Sequence, residues 1–129
     1  MPGPIVFISR FRVKEDLDRF RELARAVSGD IEASKPRTLL YLSFLDADQG
    51  TVSFLHAFAD ADSMDRHFEG SDDRSRAAYE LIEPRGWEVF GTPSDAALEA
   101  LRGAAASVGT SMTTQPEYLA GFLRVMEPA

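Results

Sequence analysis

The sequence predicts a single α+β domain in which a four-stranded antiparallel sheet carries two helices on one face. Segments whose apolar residues repeat at every second position, as in strands, alternate with segments that repeat at every third or fourth position, as in helices. Their order is strand, helix, strand, strand, helix, strand, and 129 residues are enough for one core. We predict a single domain over residues 1–129, with a core at about 4–92 and an extension at about 93–129 that adds a helix and a strand.

The chain begins with a predicted strand and a predicted helix. Residues 5–13 alternate, with Ile5, Phe7 and Phe11 on one face, as in a strand that is buried on that side. Apolar residues then recur at helical spacing from about residue 17, which indicates an amphipathic helix that covers one face of the sheet. Pro36 ends this helix, because the residue before a proline is disfavoured in the helical region.

A hairpin follows the first helix. Residues 38–46 are apolar on both faces, which predicts an interior strand. The polar turn at 47–50 ends in Gly50 and leads into a third strand at 51–59.

A second helix and a fourth strand complete the core. Asp60, Asp62 and Ser63 supply N-cap chemistry for a helix that starts near Ala61. We expect an interruption at about 70–73, a continuation over 74–83 that Pro84 stops, and a strand over 85–91. With right-handed crossovers, this order gives a ferredoxin-like βαββαβ domain.

The sheet face that the two helices leave uncovered is predicted to be apolar. It would carry large side chains from all four strands, namely Ile8, Leu40, Leu42, Leu55 and Phe90. Because an exposed apolar area of this size marks an interface, we expect a homodimer in which two sheets pack face to face.

The extension predicts one helix and one strand. Thr92, Pro93 and Asp95 fit an N-cap, a first helical position and a capping-box acid, and the helix would end near Gly109. We expect the strand at about 118–125.

Composition narrows the function classes. A formal net charge of −7 argues against binding nucleic acid or anionic membranes. The chain has no cysteine, which excludes disulfides, thiolate catalysis and cysteine-ligated metals and is compatible with a cytoplasmic location. The first residues do not have the pattern of a signal peptide or a membrane span.

The two histidines of the chain are predicted to share one layer. His56 lies on the predicted buried face of the third strand, and His67 lies on the apolar face of the second helix. Each histidine is either a packing residue with satisfied hydrogen bonds or a general base, which imidazole suits because it titrates near neutral pH. Asp60 and Asp62 precede the helix and are expected to cap it, so we predict no metal site.

Three segments resemble the antibiotic-biosynthesis monooxygenase family of the dimeric α/β-barrel superfamily. They are residues 5–16 (IVFISRFRVKED), 56–68 (HAFADADSMDRHF) and 87–98 (WEVFGTPSDAAL), and the resemblance covers roughly residues 4–100. It implies a site between the helices and the sheet of each subunit. Ser9 stands where haem-degrading members place an asparagine, and their axial histidine would fall near Ala78, so haem degradation is not expected.

The resemblance implies chemistry without a cofactor on a small aromatic molecule. We predict His67 and His56 as catalytic residues. The candidate substrate-binding residues are Ser9, Tyr41, Phe54, Phe58, Met64, Tyr79 and Trp87.

Three functions remain open. One is a cofactor-independent monooxygenase that acts on an aromatic quinol or a polyketide-like phenol. A second is a non-catalytic ligand-binding or stress-response dimer of the same fold, and a third is an isomerase or lyase that uses a histidine base.

Overall fold

The computed structural model describes residues 3–124, except for the side chains of residues 72, 74 and 75. The chain forms five strands and four helices within this range. In order, they are β1 (Ile5–Val13), α1 (Leu17–Ser34), β2 (Thr38–Asp46), β3 (Thr51–Phe58), α2 (Ala61–Phe68), α3 (Ser71–Tyr79), β4 (Ile82–Phe90), α4 (Asp95–Ser107) and β5 (Met112–Gln115).

The sheet confirms the predicted βαββαβ fold class. Its strand order is β2-β3-β1-β4-β5, with β1 to β4 antiparallel and β5 added parallel to β4. The prediction of β2 as an interior strand is wrong, because within residues 3–124 β2 pairs with β3 alone and forms an edge of the sheet. A central position in the sheet therefore does not explain why β2 is apolar on its outer face.

The helices pack on the face that the strands' buried residues share. One core cluster joins β1, β3 and β4 to α1 and α3, and its buried members are Phe11, Val13, Phe20, Val52, Ala78 and Ile82. A second cluster joins the opposite half of the sheet to α2, and its buried members are Ile5, Phe7, Phe58, Met64 and Val89.

The passage from α3 to β4 differs from the prediction. Gly70 has a φ of 75°, which separates α2 from α3, as the interruption predicted. However, α3 ends at Tyr79 and β4 already begins at Ile82, so Pro84 lies inside the strand. A register shift between Arg10 and Phe11 of β1 creates a bulge beside Pro84, and a bulge accommodates a residue that has no N–H to donate.

The extension also departs from its predicted boundaries. The helix is present as α4, but Ser94 caps it in place of Thr92, because the Ser94 Oγ accepts from the Ala97 N–H at 3.1 Å. The prediction of a strand over residues 118–124 is wrong, since the added strand is β5. The turn after α4 places residues 112–115 beside the free edge of β4 before the chain reaches residue 118. Residue 125 of the predicted strand lies outside the described residues.

The face of the sheet opposite the helices, here called the open face, has an apolar part beside the ion pairs Arg10–Glu88 and Arg12–Glu83. Leu42 and Phe44 of β2 are 44% and 61% exposed, while Ile8, Leu55 and Phe90 are half-buried beside them. Within residues 3–124, no helix is long and apolar enough to cross a membrane.

Candidate functional site

A cavity of about 850 Å³ lies between the helix-covered face of the sheet and the helices. The strands supply its floor, and α1, α2, α3 and α4 each contribute side chains to its walls. Ligand pockets for drug-sized molecules fall in this range of volume. The cavity is therefore large enough for a polycyclic aromatic molecule.

Most of the predicted site residues meet in this cavity. Seven of the nine line it, namely Ser9, Tyr41, Phe54, His56, His67, Tyr79 and Trp87. Phe58 and Met64 are fully buried in the second core cluster, behind the histidines, and do not line the described cavity. The catalytic and binding roles of all nine stay predictions.

His56 is buried on the floor of the cavity, with 6% of its surface exposed. Its Nδ1 lies 3.1 Å from the backbone carbonyl oxygen of Phe7 on the neighbouring strand. A carbonyl oxygen only accepts, so Nδ1 must carry the proton of this hydrogen bond. In the neutral ring the acceptor nitrogen is therefore Nε2, which is the form that a general base needs.

His67 reaches the same place from α2 and is 2% exposed. Its Nδ1 lies 2.7 Å from the Thr38 Oγ1 at the start of β2. A hydroxyl both donates and accepts, so this contact orients the ring of His67 and is compatible with either tautomer. The structure thus fixes the tautomer of His56 more firmly than that of His67.

The two imidazoles and a phenol form one cluster. The ring centroids of His56 and His67 are 5.2 Å apart, and the Tyr41 ring lies 5.1 Å from His56 and 6.2 Å from His67. Phe7 packs on the His56 ring at 5.2 Å. Three groups that can carry a proton are therefore held together against an apolar wall.

The acids at the start of α2 serve the helix. Asp60 is the N-cap, and hydrogen bonds from Ser63 lower its pKa. Hydrogen bonds from Arg66 and Arg37 likewise lower the pKa of Asp62. Among the described residues, no group of three or more acids or histidines is arranged to hold a metal ion.

The wall that α4 contributes to the cavity was not predicted from the sequence. This wall consists of small residues at helical spacing and a larger neighbour, namely Ala96, Ala97, Ala100, Leu101 and Ala104. Alanines at this spacing are visible in the sequence as one helix face, but the sequence does not show what that face lies against.

A hydrogen bond fastens α4 beside the cavity. The Ser94 Oγ that caps α4 also donates to the Asp65 Oδ1 of α2 at 2.8 Å, and Asp65 itself lines the cavity. The negative carboxylate at the N-terminus of α4 also complements the helix dipole. α2 therefore carries His67 and also bonds to the start of α4.

Trp87 contributes a donor whose partner is absent from the described part of the chain. Its Nε1 is buried and makes no hydrogen bond there, although the indole lines the cavity. A buried N–H without an acceptor costs about 1–3 kcal/mol. The position of Trp87 in the cavity is therefore not the one that stability alone would favour.

Comparison with solved structures identifies the fold. MupZ from Pseudomonas fluorescens is 15% identical, and the match has a TM-score of 0.62 and covers 92% of this chain and 95% of that one. SnoaB, a cofactor-independent oxygenase from Streptomyces nogalater, is 16% identical, with a TM-score of 0.59 and coverage of 71% and 95%. A Caulobacter crescentus protein, provisionally assigned as an antibiotic biosynthesis monooxygenase, is 17% identical, with a TM-score of 0.60 and coverage of 68% and 88%.

The chain has the fold of the antibiotic biosynthesis monooxygenases. This confirms the resemblance that the three sequence segments indicated. At these identities the comparison establishes the fold alone. No family model and no curated protein matches the sequence.

Proposed function

We propose that the chain is a cofactor-independent monooxygenase that acts on a small aromatic quinol or a polyketide-like phenol. The observation that carries the proposal is the cluster of buried His56 and His67 with half-buried Tyr41 on the wall of a cavity of about 850 Å³. The fold of SnoaB, a cofactor-independent oxygenase, supports it.

In the proposed reaction, His56 begins by removing a proton. Its Nε2 takes the proton of the phenol or enol, while the Nδ1–H bond to the Phe7 carbonyl holds the ring and stabilises the resulting imidazolium. The electron-rich anion passes an electron to O₂, and the substrate radical and superoxide combine to form a C–O bond. The imidazolium returns its proton to the peroxide, and elimination of water leaves a carbonyl group. One oxygen atom enters the product and the other leaves as water.

The walls of the cavity suit this chemistry. They are formed mainly by aromatic and aliphatic side chains, such as Phe11, Phe20 and Phe54. Such walls stack on a planar ring and keep water away from a reactive peroxide.

Oxygen uptake by the metal-free protein tests the proposal. We expect uptake with at least one class among hydroquinones, naphthols and anthrones, with product formed in proportion to protein. No uptake above the buffer rate across the panel would refute the proposal for these substrates. Turnover of the same panel without O₂ would favour the isomerase or lyase.

One observation favours the alternative of a non-catalytic ligand-binding dimer. Both histidines are hydrogen-bonded within the protein, His56 to the Phe7 carbonyl and His67 to Thr38. This alternative predicts saturable binding of an aromatic ligand without consumption of oxygen, which calorimetry beside the uptake assay would separate.

The α4 wall gives a prediction about substrate size. Replacing Ala100 with phenylalanine should lower kcat/KM for anthrones by about tenfold or more, because overpacking by a large side chain costs about 1–3 kcal/mol. Single-ring hydroquinones should be affected much less. The rates of the variant on both substrate classes measure this difference.

Ala106→Phe is the matched control, since Ala106 is exposed on the same helix and does not line the cavity. An equal loss in both variants, or an equal loss on large and small substrates, would contradict a role of α4 in substrate size.

We also propose that the protein is a homodimer through the open face of the sheet. Leu42→Asp should raise the dimer dissociation constant by about a hundredfold or more, because the burial of an unpaired carboxylate costs several kcal/mol. Light scattering coupled to size exclusion should then show a monomer at concentrations where the wild type is a dimer.

Gln49→Asp in the exposed β2–β3 turn adds the same charge off the open face and should leave the dimer intact. A wild-type protein that is monomeric at every concentration would contradict the proposed dimer.

A further inference from the structure

The cavity contains one acidic group that the proposed reaction does not use. With the histidines neutral, Asp65 is the one residue with a formal charge among the described residues that line the cavity. The other polar groups there are hydroxyls, the two imidazoles and the indole of Trp87. On the walls that the structure describes, a bound molecule therefore meets a negative charge and no arginine or lysine.

Asp65 and His67 lie on opposite sides of the cavity, although both belong to α2. His67 contacts Thr38 at the start of β2, whereas Asp65 accepts a hydrogen bond from Ser94 at the start of α4. β2 forms one edge of the sheet, and α4 connects β4 to β5, which pair with each other at the opposite edge. The histidines and Tyr41 therefore mark the β2 side of the cavity, and Asp65 marks the α4 side.

The chemistry of Asp65 restricts what a ligand can place on the α4 side. A carboxylate accepts hydrogen bonds and donates none, and the Ser94 Oγ, which donates to Oδ1 at 2.8 Å, occupies one of its several lone pairs. The side chain is half-buried, so bulk water reaches it from part of its surroundings only. A ligand hydroxyl or ammonium group gains a charge-assisted hydrogen bond there. A ligand carboxylate would instead lose water beside a like charge.

We infer that Asp65 selects the substrate at the end remote from the reacting group. The substrate is an uncharged or amine-bearing aromatic molecule. Its phenol or enol lies on the β2 side of the cavity, and its far end donates from a hydroxyl or an ammonium group to Asp65. Aromatic carboxylates are rejected. The inference rests on the proposed function for the reacting end, whereas the selection by Asp65 is a property of binding.

Binding of substituted anthraquinones tests the inference without turnover. The probes are 2-(aminomethyl)anthraquinone, 2-(hydroxymethyl)anthraquinone and anthraquinone-2-carboxylate, which share one ring system and differ in the charge of the substituent. Trp87 fluorescence reports binding, because Trp87 is the only tryptophan of the chain and lines the cavity. At about pH 8, above the usual titration range of imidazole, we expect the aminomethyl probe to bind most tightly. The hydroxymethyl probe should bind at least about tenfold more tightly than the carboxylate.

Asp65→Asn removes the charge and keeps the size of the side chain and an oxygen that accepts from Ser94. It should reduce the preference for the hydroxymethyl probe over the carboxylate by about tenfold and abolish the advantage of the aminomethyl probe. Asp95→Asn is the matched control. Asp95 is exposed in the first turn of α4 and does not line the described cavity, so this variant should keep the wild-type order of affinities.

Four outcomes would overturn the inference. They are equal affinities for the three probes, an unchanged preference in Asp65→Asn, an equal change in Asp95→Asn, and no binding of any probe. Oxygen uptake separates this failure from that of the proposed function. Selective binding without uptake across the panel would refute the oxygenase and leave the selection by Asp65. Equal rates with a carboxylated anthrone and its hydroxymethyl analogue would refute the selection and leave the oxygenase.

Discussion

Replacement of His56 by glutamine should lower the rate of oxygen uptake by about a hundred- to ten-thousand-fold, the range expected when a general base is removed. Glutamine is similar in length, and its amide can still donate to the Phe7 carbonyl that His56 Nδ1 contacts at 3.1 Å. It has no nitrogen that takes up a proton at neutral pH. The variant should therefore stay folded and still bind substrate while losing turnover, which kcat, KM and the thermal unfolding midpoint together measure.

His67→Gln is the matched comparison, because His67 is equally buried and its ring lies 5.2 Å from that of His56. We expect the smaller loss there, since Thr38 is a hydrogen-bond partner that either tautomer of His67 accommodates. A larger loss of kcat in His67→Gln would assign the base to His67. Unchanged kcat in both variants would mean that neither imidazole is the base.

Most of the core of the fold could be predicted from local periodicity in the sequence. The alternation of Ile5, Phe7 and Phe11 and the helical spacing after residue 17 depend on neighbouring residues only, so they were readable without tertiary information. Both histidines were found for the same reason, because a polar residue on an otherwise apolar strand or helix face stands out locally.

The parts that sequence analysis missed depend on what each segment packs against. Pro84 was taken as the end of a helix, yet the bulge opposite Phe11 lets it stand within β4. The free edge of β4 pairs with residues 112–115 and not with the more apolar segment from Tyr118. The alanines of α4 line the cavity because the helix packs beside α2, where Ser94 bonds to Asp65 and Leu101 contacts the second core cluster.

Substitution of Phe58 by alanine should destabilise the protein by about 3–5 kcal/mol, the usual cost of removing a buried phenylalanine side chain from a core. Phe58 has no exposed surface, and its ring lies 5.1 Å from His67 and 6.3 Å from His56. Against a total stability of about 5–15 kcal/mol, this loss would leave the fold marginal. Chemical denaturation followed by circular dichroism measures the change.

Phe58→Leu separates the effect on stability from the effect on the orientation of the histidines. Leucine fills most of the same space and should cost only about 1 kcal/mol of stability. The void left by alanine lies directly behind both imidazoles, so the rings should lose their fixed orientation as well as their support. We therefore expect the activity of Phe58→Ala to fall further than its unfolded fraction explains, while that of Phe58→Leu follows stability. A cost below about 1 kcal/mol for alanine would mean that neighbouring side chains collapse into the site and that Phe58 does not position the histidines.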